Sequence, residues 1–305
     1  MNEISGKTSF RLKLPAGYDV RDVIAFHGRD PSRLSENAEG LFLKKGIVLK
    51  GIAIVLDLKF DSTISNVRCN VIADGLMTPE IKLQSHEIVL HILGLKLDAA
   101  TFRNHVAKDP IFSALVANQS SLRIIQSASI FEALTWAIMG QQINVSFAVS
   151  LRRTFIELSA RKHSSGLYCF PEPKDVAKLT VEQLTSRKFS KAKAETLLRL
   201  ANLLSNSELN LAVSESNTIE HISAALLKIK GIGPWTVNYA LLRGYGYADC
   251  SLHGDVAVRT AIQNLIGCEE RPTIAEAEEF LKQYSPYRTI AAAYLWASLK
   301  KLQTF

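Results

Sequence analysis

The sequence predicts an α+β domain at the N-terminus, an antiparallel sheet with two helices, followed by mostly α-helical lobes. Three observations carry this. Segments 41-LFLKKGIVL-49, 52-IAIVLDLKF-60 and 66-NVRCNVIAD-74 are rich in Val, Ile and Leu, and Val67, Cys69, Val71 and Ala73 alternate strictly with their neighbours, the period of a strand with one buried face. From Leu97 onward the apolar spacing becomes helical and stays so. The 305 residues also exceed the length of a usual single domain, roughly 100 to 200.

Taken in order, helices near 18-YDVRDVIAFHG-28 and across 85-SHEIVLHILGL-95 accompany the sheet. Ser129-Ile130-Phe131-Glu132 has the capping-box spacing that opens a helix over 130–139, and Gly140 stands where a helix should stop. Further helical patterns cover 146–160, 181–187, 191–205, 219–229, 234–245, 256–266, 274–284 and 288–302. There is no internal repeat and no low-complexity segment.

Composition narrows the function classes. Apolar runs such as 290-IAAAYLWASL-299 fall far short of the roughly 18 residues that cross a bilayer, and the N-terminal MNEISGKTSF lacks a signal-peptide core. A cytoplasmic protein without a membrane role is expected. Cys69, Cys169, Cys250 and Cys268 are too scattered for a zinc or iron–sulfur framework and read as reduced thiols. The net charge of +7 permits a polyanionic partner, and eleven basic residues against five acidic between Leu151 and Ala201 locate most of the excess.

The segment 226-LLKIKGIGPWTVNYALLRGYGYADCSLHGDVAVRTAI-262 concentrates the chemistry. Gly231 and Gly233 permit a tight turn between two helices, and Pro234 suits the first helical turn because its missing N–H would be unpaired there. The exposed N–H groups of such a hairpin and of the following helix N-terminus can hold a phosphate. Taken alone, Gly-Ile-Gly also fits an ordinary inter-helix turn.

The run KGIGPWTVNYALLRGYGYADCSLHGD resembles the helix-hairpin-helix, Gly/Pro-rich loop and aspartate of the DNA glycosylase superfamily that bears those features. Within it the resemblance is to the bacterial alkylation-repair branch, the 3-methyladenine DNA glycosylase II enzymes. IFEALTWAIMGQQIN is similar to that family's helix and wedge loop, FSKAKAETLLRLA to its basic helix start, PYRTIAAAYLW to its C-terminal pocket helix and YDVRDVIAF to its N-terminal segment.

The resemblance implies α-helical helix-hairpin-helix glycosylase lobes after the sheet domain: 1–97 as the α+β domain, 128–255 as the lobe with the hairpin, and 98–127 with 256–305 as a second, discontinuous lobe. It makes Asp255 the catalytic carboxylate, a role that suits cleavage of a base–sugar bond because positive charge builds on the sugar; Asp255 is equally placed to cap the helix that follows. Trp235 stands where base-excising lyases carry a Schiff-base lysine, which implies a monofunctional enzyme. Phe26, Trp235, Tyr239 and Trp296 match the aromatic base pocket, where cation–π attraction suits electron-deficient alkylated bases; core packing is the other reading for Phe26 and Tyr239.

Gln141 and Gln142 occupy the wedge loop that fills the gap left by a flipped nucleotide, with an amide at 142 where the compared enzyme has leucine. Gln141 also suits a polar capping turn. Lys230, Gly231, Gly233 and Thr236 of the hairpin, with Lys191 and Lys193, are expected to meet DNA phosphates. The carbonyls of Leu227, Ile229 and Ile232 resemble those that hold a structural monovalent cation; no other cofactor is expected. Damaged double-stranded DNA is the expected partner of a monomer acting on alkylated bases of the 3-methyladenine type in base excision repair. An oxidised-base (8-oxoguanine type) glycosylase and a non-catalytic DNA-binding protein are the competing readings.

Overall fold

The computed structural model describes residues 6–302 except 62, 64, 98, 120, 121 and 160. The outer ends of the 1–97 and 256–305 segments, the start of 98–127 and the last residue of the expected 146–160 helix therefore lie outside the described residues.

Five antiparallel strands, β1 (Gly6–Lys13), β2 (Glu36–Glu39), β3 (Phe42–Leu49), β4 (Ile52–Asp61) and β5 (Asn66–Ala73), form one sheet in the order β1-β5-β4-β3-β2. The alternation in β5 places Val67, Cys69, Val71 and Ala73 on a fully buried face. There they pack with Leu56 and Leu58 of β4, Val23 of α1 (Val20–His27) and Val89 and Ile92 of α2 (Pro79–Ile92). α2 begins earlier than 85, because the Thr78 hydroxyl accepts the Ile81 N–H and Pro79 opens the first turn.

The remaining helices are α3 (Ala99–His105), α4 (Phe112–Ala117), α5 (Ile130–Gly140), α6 (Val145–Ser159), α7 (Pro173–Val176), α8 (Val181–Thr185) and α9 (Lys191–Ser205). They are followed by α10 (Ile219–Leu227), α11 (Pro234–Ala240), α12 (Val256–Ile266), α13 (Ile274–Lys282) and α14 (Arg288–Leu302). One apolar core runs through them from Phe102 to Leu295. α3 and α4 pack on α14, while α11 and α9 pack on α5.

The expected single helix over 234–245 becomes α11 and then a π-helical turn, Leu241–Tyr245. Gly244 is pressed against α5 there: a Cβ on it would lie 3.0 Å from the Ile130 Cα. α5 is also tied to the sheet by a buried ionic cluster. Lys45 of β3 bonds Glu36 of β2 and Glu132 of α5 (2.8 Å to the latter), and Arg152 of α6 bonds both carboxylates (3.1 and 2.7 Å). Only one half of the expected capping box forms: the Ser129 hydroxyl accepts the Glu132 N–H, while the other oxygen of Glu132 accepts the N–H of Ala128, one residue ahead of the cap.

Candidate active site

Asp255 is the N-cap of α12, held by the loop that leads to it. The Asn238 side chain donates to the Ser251 carbonyl (2.6 Å), the Cys250 N–H to the Thr289 hydroxyl (2.8 Å), and Arg288 pairs with Asp249 (2.8 Å). Asp255 Oδ1 accepts the N–H groups of Ala257 (2.9 Å) and Val258 (3.1 Å) and the Trp296 indole N–H (3.0 Å). Its Oδ2 accepts the Trp235 indole N–H at 2.9 Å. The side chain is therefore both a helix cap and a carboxylate clamped between two tryptophans. All four donors are uncharged, and the α12 N-terminus adds a positive potential without a counter-ion.

Beside it lies a cleft of about 930 Å³, lined by Phe26, Trp235, Tyr239 and Trp296 together with Trp136, Arg29 and Arg243. The Trp235 and Tyr239 rings lie 5.6 Å apart and tilted by 35°. The Phe26 ring carries two guanidiniums, Arg29 at 4.2 Å and Arg243 at 4.8 Å, and Arg29 also lies 4.5 Å over Trp136. Arg243 is 5.9 Å from the Trp296 ring and donates to the Ile125 carbonyl. Burial, with Arg29 nearby, pulls the Arg243 guanidinium below its ordinary pKa.

Trp136, Arg29 and Arg243 lie outside the expectation drawn from the sequence. A signal for Arg243 was present, since 235, 239 and 243 follow one another at four-residue steps. Trp136 likewise stands one turn ahead of Gly140 at the wedge loop.

Gln141 Nε2 donates to the Gly231 carbonyl (3.0 Å) and the Thr236 hydroxyl (2.9 Å), so this amide ties the end of α5 to the hairpin. Gln142 next to it is exposed, with a left-handed φ of 55°. Gly231 has φ +97°, and a Cβ there would fall 2.0 Å from the Thr196 hydroxyl of α9, so glycine is required on both counts. The Lys230 carbonyl accepts from Arg199 (2.9 Å), while the Lys230 side chain is exposed. Gly233 caps α11 without a side chain. Lys193 donates to the Met139 carbonyl at the end of α5 (2.7 Å), and burial lowers its pKa; Lys191 points to solvent, 3.9 Å from Glu195. Of the three carbonyls compared with a cation site, that of Ile229 accepts the Ile232 N–H at 3.0 Å. Among the described residues there is no group of three or more His, Cys, Asp or Glu that could hold a metal ion, and no helix is long and apolar enough to cross a membrane.

Residues 135–286 match the HhH-GPD superfamily base excision DNA repair protein family. The chain is 28% identical over 294 residues to a DNA-3-methyladenine glycosylase of Bacillus subtilis, covering 94% of this chain and 96% of that one. The solved 3-methyladenine DNA glycosylase of Archaeoglobus fulgidus superposes with a TM-score of 0.78 at 20% identity, over 97% of this chain and all of the other. An 8-oxoguanine glycosylase/lyase of Clostridium acetobutylicum, solved with double-stranded DNA, superposes with a TM-score of 0.74 at 16% identity over 98% of each chain. The span of the match includes the end of α5, the hairpin and Asp255, and the chain belongs to the HhH-GPD superfamily of base excision DNA repair proteins.

Proposed function

We propose that this protein is a monofunctional DNA glycosylase that hydrolyses the N-glycosidic bond of alkylated bases of the 3-methyladenine type in duplex DNA. The observation that carries the reading is the carboxylate of Asp255, fixed by the indoles of Trp235 and Trp296, both of which line an aromatic cleft. As the base departs, the sugar becomes electron-deficient, and a fixed negative group beside it stabilises that charge without reorganising. The same carboxylate can orient the attacking water. No lysine lines the cleft among the described residues, and Trp235 occupies the position at which a lyase would need an amine, so the product is an abasic site with the strand intact.

The hairpin from Lys228 to Gly233 and the exposed Lys191 and Lys230 are the phosphate-gripping surface, with Gln142 as the group that enters the duplex when the nucleotide flips. The Leu227 and Ile232 carbonyls accept no backbone N–H among the described residues, which leaves them able to ligate a monovalent cation beside Ile229. Such a cation would supply charge to a DNA phosphate; no other cofactor is needed. Gln141, Thr196 and Lys193 hold hairpin, α9 and α5 as one body, so their contribution to DNA binding is through that geometry. The enzyme acts as a cytoplasmic monomer on damaged double-stranded DNA.

The test is release of free base from methylated duplex DNA, with strand nicks scored before and after alkali and borohydride added in a parallel reaction. Base release with nicks only after alkali, and no covalent trapping, is expected. Trapping on DNA, or nicks without alkali, would move the assignment to a lyase acting on oxidised bases.

A further inference from the structure

The solvent face of the sheet carries charge of one sign that neither the fold nor the cleft uses. The register sets Lys59 of β4 opposite Arg68 of β5, and Arg68 opposite Arg11 of β1, so three cations stand side by side on adjacent strands. Neighbouring strands lie about 4.8 Å apart, and like charges placed directly opposite one another destabilise a sheet. Lys44 of β3 and Lys7 and Lys13 of β1 extend the same face, and all six residues are exposed. None of the six takes part in a salt bridge among the described residues. The acids of this face are fewer: Glu39 pairs with Arg33 at 2.8 Å, Asp61 accepts the Thr63 N–H at 2.9 Å, and Asp57 lies between Lys44 and Asn70 in the register. Charges along an edge strand protect a sheet from pairing with another chain, which accounts for β1. That does not account for Lys59 and Arg68, because β4 and β5 have a strand on either side.

We propose that this face is a second docking surface for duplex DNA, separate from the cleft, that grips the phosphate backbone of an undamaged segment. Charge complementarity is the argument. From Lys7 to Lys13 the face extends about 20 Å at about 3.4 Å per residue, and a duplex presents one phosphate charge per roughly 1.7 Å of its axis. Each phosphate that meets a lysine or arginine releases condensed counter-ions, which drives binding without reading sequence. The face points away from the cleft. α1, which carries Phe26 and Arg29, packs on the opposite face of the sheet, and α5, which carries Trp136, is tied to that opposite face through Glu132 and Lys45. One molecule can therefore hold a duplex on each side, and a protein that must find rare lesions gains from keeping one segment while it samples another. The inference uses DNA binding alone and does not depend on the chemistry assigned to Asp255.

The test counts the undamaged duplexes, of about 12 base pairs, that one protein molecule binds at low salt. Sedimentation gives the count for wild type and for the triple variant Arg11→Gln, Lys59→Gln, Arg68→Gln. Wild type should bind two and the triple variant one. Once a first duplex is bound, affinity for the second should be at least about tenfold weaker in the variant, and its slope against log salt smaller by about two to three. Base release from a short methylated duplex at saturating enzyme should be the same in both proteins, since the three residues lie outside the cleft. One duplex per wild-type molecule, two retained by the triple variant, or a parallel loss of base release would each overturn the proposal. If the triple variant does not fold, Arg68→Gln alone decides: a salt slope lower by about one is expected, and an unchanged slope would contradict the assignment. Absence of base release by wild type would remove the glycosylase reading and leave this inference to stand or fall on the duplex count.

Discussion

Glu132 and Asp255 both stand at the first turn of a helix, α5 and α12, and both accept helix-terminal or neighbouring backbone N–H groups. Glu132 is buried and faces Lys45 at 2.8 Å and Arg152 at 2.7 Å. Asp255 is only half-buried and faces two indoles. The cations around Glu132 cancel its charge, so it fastens α5 to the sheet and offers nothing to a substrate. The neutral donors and the α12 N-terminus around Asp255 fix its direction without pairing it to a cation. A carboxylate that holds the fold and one that stabilises a developing cation are distinguished here by their partners, not by their place on the helix.

The first way to break this comparison is Lys45→Met. It would leave Glu36 and Glu132 sharing Arg152, and loss of one member of a buried ionic cluster typically costs about 3 to 5 kcal/mol. Denaturant titration should record that loss while base release per folded molecule is retained; a selective loss of release would assign the cluster a part in the chemistry. Next, Trp296→Phe removes one donor from Asp255. A hydrogen bond to a charged group contributes about 1.5 to 3 kcal/mol, so release should fall roughly 10- to 150-fold, with a much smaller change in stability. An unchanged rate would mean that the indole only packs.

Acid should affect the ionic cluster, together with the buried His27 whose Nδ1 lies 3.0 Å from the Glu36 carboxylate, in a defined order. Burial holds His27 below its usual 6.5, whereas for Glu36 and Glu132 burial is outweighed by Arg152 and Lys45, which hold both below 4.5. All three folded pKa values are depressed, so the unfolded chain takes up protons first and stability is lost as pH falls. The melting temperature should begin to drop near pH 6.5 through His27 and drop further below 4.5 through the glutamates; a flat profile between pH 7 and 4 would contradict the assignment. The smallest expected effects separate two lysines of α9. Lys191→Ala should reduce the slope of log affinity against log salt by about one, while Lys193→Ala, which loses the bond to Met139, should cost about 1 kcal/mol of stability. Exchange of these two outcomes would reverse their roles.

What the sequence made legible follows from how local each signal is. The alternation of Val67, Cys69, Val71 and Ala73 and the caps at Ser129 and Asp255 are properties of a few neighbouring residues, and the structure carries them. Lys45 was opaque: within 41-LFLKKGIVL-49 it looks like half of a solvated lysine pair, and it is buried because Glu36, Glu132 and Arg152 converge on it from elsewhere in the chain. β1 is not legible in the sequence because it is an edge strand with no fully buried residue. In the site, Trp235, Tyr239, Trp296 and Phe26 were named through resemblance, and their joint lining of one cleft is visible only in three dimensions. The stacking of Arg29 and Arg243 on that lining joins α1 to the turn after α11, a contact no local pattern contains.

The comparison rests most directly on Asp255→Asn, measured for single-turnover base release and for denaturant stability on the same preparation. Asparagine caps a helix about as well as aspartate, so the fold should be kept while the charge is removed. The expected result is release slower by about 100- to 1,000-fold at an essentially unchanged unfolding midpoint. Release close to that of wild type, or a loss of release that only follows unfolding, would show that Asp255 is a cap like any other.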